Sequence, residues 1–316
     1  MPQVLTLSRS EIEQLLDPAE AMEALARGFK ALSTGQVQAP PRPRVDVPGK
    51  GFSLAMLAWS PGELIALKTV NVFEGNHARG LPSHMATIGL FDAETGAPVA
   101  SMDGAVITGV RTAAGSMLTI RQLARKDARV ATVIGGGVQA REHLRLLDGM
   151  GTLETINVIS RTMESAKRVA AGIAGARVVT DIAAAVKAAD IVCLTTSSEK
   201  PVIEAGWVKP GTHVTSVGFA PPGGEVPRAL AERATVYVEA RTAFAAPPVG
   251  CAELQGLDAA AGIEVGELLA GSRPGRTSSD QITLYKSMGN AMEDMVVANL
   301  VYRKAKEKGL GRSVEL

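Results

Sequence analysis

Two cysteines in 316 residues, Cys193 and Cys251, cannot supply a disulfide framework. The fold could still bring them together, but two inert thiols in a reducing cytosol is the simpler reading. Aromatic residues make up 3% of the chain, too few for a stacking surface for bases. Neither sign of charge prevails, with 33 Lys and Arg against 32 Asp and Glu, so nothing calls for nucleic acid or an anionic membrane as partner. No apolar run approaches the ~18 residues of a membrane span. The amino-terminal stretch is charged by Arg9 and Glu11 and lacks the succession of a signal peptide. A soluble, cytoplasmic protein is expected. His77, His84, His143 and His213 show no ligand spacing and no cysteine joins them, so no metal site is expected. There is no G-x-S-x-G elbow and no Walker loop.

What the chain does have is length, alanine and glycine. At 316 residues it exceeds the usual single core, and two domains are expected. Ser8 with Glu11 forms a capping box, Asp17-Pro18 with Glu20 restarts a helix, and Met22, Leu25, Phe29 and Leu32 share one helical face. The prolines at 40, 41 and 43 forbid helix there. Short β-rich pieces follow at 52–57, 64–72, 86–92 and 98–102, with no helix between them, which predicts a largely antiparallel sheet. A helix is predicted over 112–123. From Arg129 the pattern becomes strand, helix, strand: 129–134, a helix to about 147, 155–159, 164–174, 177–179, 182–189, 191–195 and 213–218. That alternation predicts a parallel sheet covered on both faces. A last helix, 289–308, is expected to return to the first domain.

The run Val133-Ile134-Gly135-Gly136-Gly137-Val138-Gln139-Ala140 fits G-x-G-x-x-A directly after a strand and at the start of a helix. Gly135 suits the tight turn, Gly137 lets the backbone approach a pyrophosphate, and Ala140 allows close helix packing, while the helix N-terminus attracts the anion. The next strand ends Ile159-Ser160-Arg161-Thr162, with no carboxylate to accept from a ribose 2′-hydroxyl. Arg161 and the two hydroxyls could hold a 2′-phosphate, so NADP(H) is preferred and NAD(H) is possible. The alternative is that Arg161 is a solvated surface residue.

Several further runs occur in a set order. Lys68-Thr69-Val70-Asn71 precedes Gly80-Leu81-Pro82-Ser83-His84, Leu90-Phe91-Asp92, Met102-Asp103-Gly104, Thr108 and Arg111-Thr112-Ala113-Ala114. After the glycine loop come Ala189-Asp190-Ile191-Val192, Trp207, Pro210-Gly211-Thr212, Gly266-Glu267-Leu268 and Lys286-Ser287-Met288-Gly289. In order and spacing the chain resembles the ornithine cyclodeaminase/μ-crystallin family over nearly its whole length. The resemblance implies an α/β protein in which a Rossmann doubly wound parallel sheet, residues 113–288, is inserted into an α+β substrate-binding and dimerisation domain, residues 1–112 with 289–316. It implies a homodimer, and it implies that Arg44, Lys68 and Arg111 hold a substrate α-carboxylate, with Lys68 and Arg111 also catalytic. Arg42 competes with Arg44, and the ordinary alternatives are a snorkelling lysine and arginines in plain ion pairs. Thr87 resembles a position lining the same pocket, and His84 either lines it or is structural. Thr195, Lys286 and Ser287 are expected to complete the cofactor contacts.

One departure from the family pattern bears on the reaction. After the strand ending Ser216-Val217-Gly218, the cyclodeaminases and the alanine dehydrogenase type carry a proton-handling aspartate, whereas this chain has Ala220. Oxidative deamination needs a group to take a proton and activate water, and alanine does neither. Imine reduction demands less, so the resemblance implies an NAD(P)H-dependent ketimine reductase acting on small α-imino or α-amino acids. Glu225 is a candidate substitute acid. A cyclodeaminase or an alanine-type amino-acid dehydrogenase is the alternative enzyme, and a crystallin-like binding protein the alternative class.

Overall fold

In the computed structural model, which describes residues 3–315 apart from the side chain of His77, local capping chemistry starts the first helices. Strand β1 (Gln3–Leu7) leads into α1 (Arg9–Leu15), where Ser8 and Glu11 cap each other reciprocally. Helix α2 (Pro18–Ser33) begins where Asp17 accepts from the amides of Ala19 and Glu20, and it buries Met22, Leu25 and Phe29. Then come β2 (Arg44–Val47), β3 (Gly51–Ala58), β4 (Ile65–Val72), β5 (His84–Phe91) and β6 (Pro98–Asp103). Helix α3 (Gly104–Leu123) starts at Gly104 rather than at Thr112. The reason is local: Asp103 Oδ1 accepts from the amides of Ala105 and Val106 at 2.9 and 3.0 Å and caps the helix directly off the strand.

Beyond it the chain alternates. The elements are β7 (Val130–Ile134), α4 (Val138–Asp148), β8 (Thr155–Ile159), α5 (Met163–Ala170), β9 (Ala176–Val178), α6 (Ile182–Ala188), β10 (Ile191–Leu194) and β11 (His213–Ser216). They continue with α7 (Arg228–Arg233), β12 (Thr235–Val238), β13 (Ile263–Glu264), α8 (Val265–Ala270) and β14 (Thr283–Lys286). The eight strands form one sheet in the order β13-β12-β14-β11-β10-β7-β8-β9, with every pair parallel. Residues of β10 and β11 are buried throughout, which is why these strands read as apolar runs without alternation. The strand order reverses between β7 and β10, the doubly wound Rossmann arrangement.

Asn290 then caps α9 (Ala291–Lys308), and β15 (Arg312–Glu315) follows Gly309. The chain divides into two compact units, Met1–Arg111 with Asn290–Leu316, and Thr112–Gly289. The sheet of the first unit runs β15-β1-β6-β5-β4-β3-β2, and its pairs are antiparallel except β1 with β6. Helix α9 packs on α2 and on β3, β4 and β5, returning to the first unit as its apolar face predicts. Strand β1 and the edge strands β2 and β15 have no counterpart among the strands expected from sequence, because runs of four or five residues leave little periodicity to detect.

Candidate active site

Each unit contains one candidate centre. In the first, Lys68 occupies the middle of β4, opposite Met56 on β3 and Ile88 on β5. Its side chain is 1% exposed, and its Nζ lies 2.6 Å from Asp294 Oδ2 and 3.4 Å from Thr108 Oγ1. Arg111, on α3, reaches Asp294 Oδ1 through Nε at 3.2 Å and Glu293 Oε2 through Nη1 at 3.1 Å. Glu293 and Asp294 stand in the first turn of α9, where the helix dipole favours negative charge. Two cations and two carboxylates are thus enclosed together. Burial drives the Lys68 ammonium down from its ordinary range to about 8; the Asp294 carboxylate opposes that shift and the Arg111 charge adds to it.

Strand register sorts the other expected substrate contacts. Arg44 pairs with Leu54, Leu54 with Val70, and Val72 with His84, so Arg44 and His84 share the sheet face of Lys68. Arg44 ion-pairs with Asp46 at 2.6 Å and stacks 3.9 Å over the Phe52 ring, and His84 Nδ1 is 3.0 Å from Ser83 Oγ. Thr87 is a correction. It pairs with Thr69, one residue out of phase with Lys68, and therefore points to the opposite face. Glu293 and Asp294 were missed by sequence reasoning. The available signal is a pair of adjacent acids at the start of the apolar first half of that helix.

The second centre is the glycine loop between β7 and α4. Gly135 has a φ of +152°, and its amide donates to Ile159 O at 2.8 Å. A Cβ there would overlap the Thr195 hydroxyl, so glycine is required by close approach as well as by φ. Gly137 is the N-cap of α4 and offers no side-chain cap, and nothing stands within 4 Å of where its Cβ would be. Val138, Gln139 and Ala140 form the first turn of α4, with Val138 exposed and Ala140 fully buried. A dinucleotide fits this cradle: bare backbone, open space and uncapped helix amides suit a pyrophosphate.

At the end of β8, Arg161 is exposed, and Ser160 lies close to Gly136. The Thr162 hydroxyl is occupied as the N-cap of α5, accepting from the Ser165 amide and donating to Ser165 Oγ. It is therefore not a free phosphate ligand as expected. Arg168, unnoticed in the sequence, donates to Gly136 O at 3.3 Å.

The remaining expected contacts are turned inward. The Thr195 hydroxyl donates to Ile134 O at 2.9 Å, bracing the end of β7. Lys286 is fully buried and ion-pairs with Glu253 at 2.9 Å, while donating to Ser216 Oγ and Gly218 O. Ser287 donates to Glu239 at 2.6 Å, and the same carboxylate accepts from the amides of Met288 and Gly289. Glu225 is also corrected as a proton source. It accepts from Thr196 N and Oγ1, Ser216 Oγ and Gly218 N at 2.7–2.8 Å, and both of its oxygens are engaged. Its work is to tie together the loops that follow β10 and β11. Both thiols are buried and pushed up to about 12 by burial, which makes them inert. Among the described residues no cluster of His, Cys, Asp or Glu could hold a metal ion, and no helix is long and apolar enough to cross a membrane.

The chain is similar to known proteins along nearly its whole length. The sequence profile of the ornithine cyclodeaminase/mu-crystallin family matches residues 2–309. Ketimine reductase mu-crystallin from Rattus norvegicus is 34% identical over 304 residues, covering 94% of this chain and 96% of that protein. Among solved structures, the Thermococcus litoralis Delta(1)-pyrroline-2-carboxylate reductase, in complex with NADH and L-proline, superposes with a TM-score of 0.92 at 33% identity, covering 98% and 100% of the two chains. An archaeal alanine dehydrogenase dimer with bound NAD superposes with a TM-score of 0.89 at 32% identity, covering 99% of each chain.

Proposed function

The chain belongs to the ornithine cyclodeaminase/mu-crystallin family, and on that premise we propose that it is a nicotinamide-dependent oxidoreductase that reduces the C=N bond of small cyclic α-imino acids. The observation that carries this reading is the buried group of Lys68, Arg111, Glu293 and Asp294 in a chain whose position 220 is alanine. Arg111 and Lys68 supply the cationic face that a substrate carboxylate requires, with Arg44 on the same sheet face. Deamination would need a base that activates water, and the alanine methyl at 220 cannot serve. Bound at the glycine loop, a reduced nicotinamide supplies the hydride for this chemistry. Gly135, Gly137, Val138, Gln139 and Ala140 would hold its pyrophosphate. Thr195, Lys286, Ser287 and Glu225 would set the loops around it.

We infer a preference for NADP(H) from the absence of an acid at the end of β8 and from the exposed Arg161 beside Ser160, with Arg168 as a second cation. We also infer a homodimer. The sheet face opposite Lys68 carries Val45, Val47, Leu57, Met85 and Val314, all exposed, with Val45 at 66%. Association through that face should give a dimer mass in sedimentation. A small-molecule substrate rather than nucleic acid is the partner this reading implies.

The experiment is to mix the protein with NADPH or NADH and pyrroline-2-carboxylate, piperideine-2-carboxylate, or pyruvate with ammonia, and follow cofactor absorbance. Consumption with a cyclic imine, abolished by Lys68→Ala, is expected. Arg161→Ala should weaken NADPH binding about tenfold and leave NADH unchanged. Consumption with NADH alone would sink the phosphate assignment and spare the reaction. No consumption with any imine, despite tight cofactor binding, would favour a binding protein.

A further inference from the structure

Resting on the imine-reductase reading, we propose that Asp294 is the positioning residue for the proton that reduction consumes: it holds Lys68 as the ammonium that protonates the imine nitrogen, the duty for which position 220 has no group. Adding hydride to a C=N carbon yields an amine only when the nitrogen gains a proton, so some side chain or water must deliver one. Ala220 has nothing to give, and Glu225 spends both oxygens on loop donors. Lys68 differs from both. Its ammonium carries three N–H bonds; it ion-pairs with Asp294 Oδ2 at 2.6 Å and donates to Thr108 Oγ1 at 3.4 Å, and on this proposal another of its N–H bonds meets the imine nitrogen.

The surroundings explain why Asp294 is needed. Lys68 faces apolar Met56 on β3 and Ile88 on β5, Thr108 and Arg111 on α3, and Glu293 and Asp294 on α9. Burial and the Arg111 cation both disfavour a second positive charge, and among these groups Asp294 makes the close opposing contact. Without it Lys68 would lose its proton to the medium before a substrate could use it. In the transfer an Nζ–H bond breaks as the imine N–H bond forms. The neutral Lys68 amine then takes a proton from water, and the electron pair that reduces carbon is the one already assigned to the bound nicotinamide.

The test compares wild type, Asp294→Asn and Asp294→Glu in two readouts: the pH dependence of kcat and KM for pyrroline-2-carboxylate, and the titration of the Lys68 side chain by NMR of 13C-lysine-labelled protein, with the resonance identified by Lys68→Met. In wild type the rate should fall as pH rises through about 8, together with the Lys68 titration. In Asp294→Asn both should move down by about one pH unit, so that kcat at pH 8 falls about tenfold while KM changes less. Asp294→Glu should restore both. A folded Asp294→Asn protein that is slower but keeps the wild-type limb and the wild-type Lys68 titration would overturn the proposal. If Asp294→Asn does not fold, a wild-type limb that departs from the Lys68 titration overturns it as well. A wild type that consumes no cofactor with any imine refutes the imine-reductase reading itself, and this proposal falls with it.

Discussion

The two units bury charge in opposite ways. The first encloses two cations against two carboxylates, contributed by β4, α3 and α9, segments separated by up to 226 residues between Lys68 and Asp294. The second has one such pair, Lys286 with Glu253, and otherwise uses single carboxylates as staples. Glu225 and Glu239 each collect donors from neighbouring loops at the carboxyl ends of the strands, while His143 and His213 are buried as neutral rings. The first arrangement concentrates charge at the site we propose for a charged substrate. The second spends charge on tying together the loops that follow its strands, beside the backbone cradle we propose for the cofactor. Removing the charges of the first unit is therefore expected to leave the cradle intact, and loosening the cradle is expected to leave the charges in place.

The sharpest way to break this contrast is Arg111→Met. It removes the guanidinium that contacts both Glu293 and Asp294, and the loss of one partner from a buried ion network costs roughly 3–5 kcal/mol. Urea unfolding should show that loss and imine turnover should vanish, while cofactor binding by the folded protein, measured by NADPH fluorescence, stays near wild type. Loss of cofactor binding as well would show that the two centres are not separable.

A smaller effect is expected in the second unit. Glu225→Ala strands donors from Thr196, Ser216 and Gly218, at a cost of roughly 3 kcal/mol once water has entered. Its signature should be weaker cofactor binding, with the Lys68 titration unmoved. A variant with wild-type cofactor affinity would remove Glu225 from the loop-positioning role.

The smallest effect is a pH dependence confined to the second unit. Burial lowers His143 to about 4 and His213 to about 3, both below the 6.5 of an exposed imidazole. The folded state therefore binds fewer protons than the unfolded state in mild acid. The stability these rings contribute is complete above about 6.5 and is lost progressively as pH falls toward the folded values. Between pH 7 and 5.5 the two together should remove about 2 kcal/mol, read from urea midpoints, and His143→Gln should halve that slope. An equal loss in a variant lacking both histidines would contradict the assignment.

The contrast also explains what could be read in advance. The glycine loop, the capping boxes and the strand–helix alternation are local, each set by residues within a few positions of one another, and they appear where the sequence places them. The start of α3 was misplaced because the Asp103 cap sits on the end of a strand, so that periodicity registers the helix only after it is under way. Thr87 was misassigned because sequence proximity does not specify a sheet face, whereas register does. Thr162, Lys286 and Ser287 lie at the expected strand ends, yet their polar atoms are spent on a helix cap and on buried carboxylates.

By itself, then, the sequence determined the family, the parallel sheet, the position of the glycine loop and the presence of cations at 68 and 111. Those follow from residue type at fixed spacing, because backbone geometry turns spacing into turns, caps and faces. The tertiary structure alone decided which carboxylates meet those cations and which hydroxyls are already engaged. It also decided that Glu225 is a staple rather than an acid. Hydrogen bonds and ion pairs depend on distances of about 3 Å between residues that the chain brings together from far apart, and no local pattern encodes such distances.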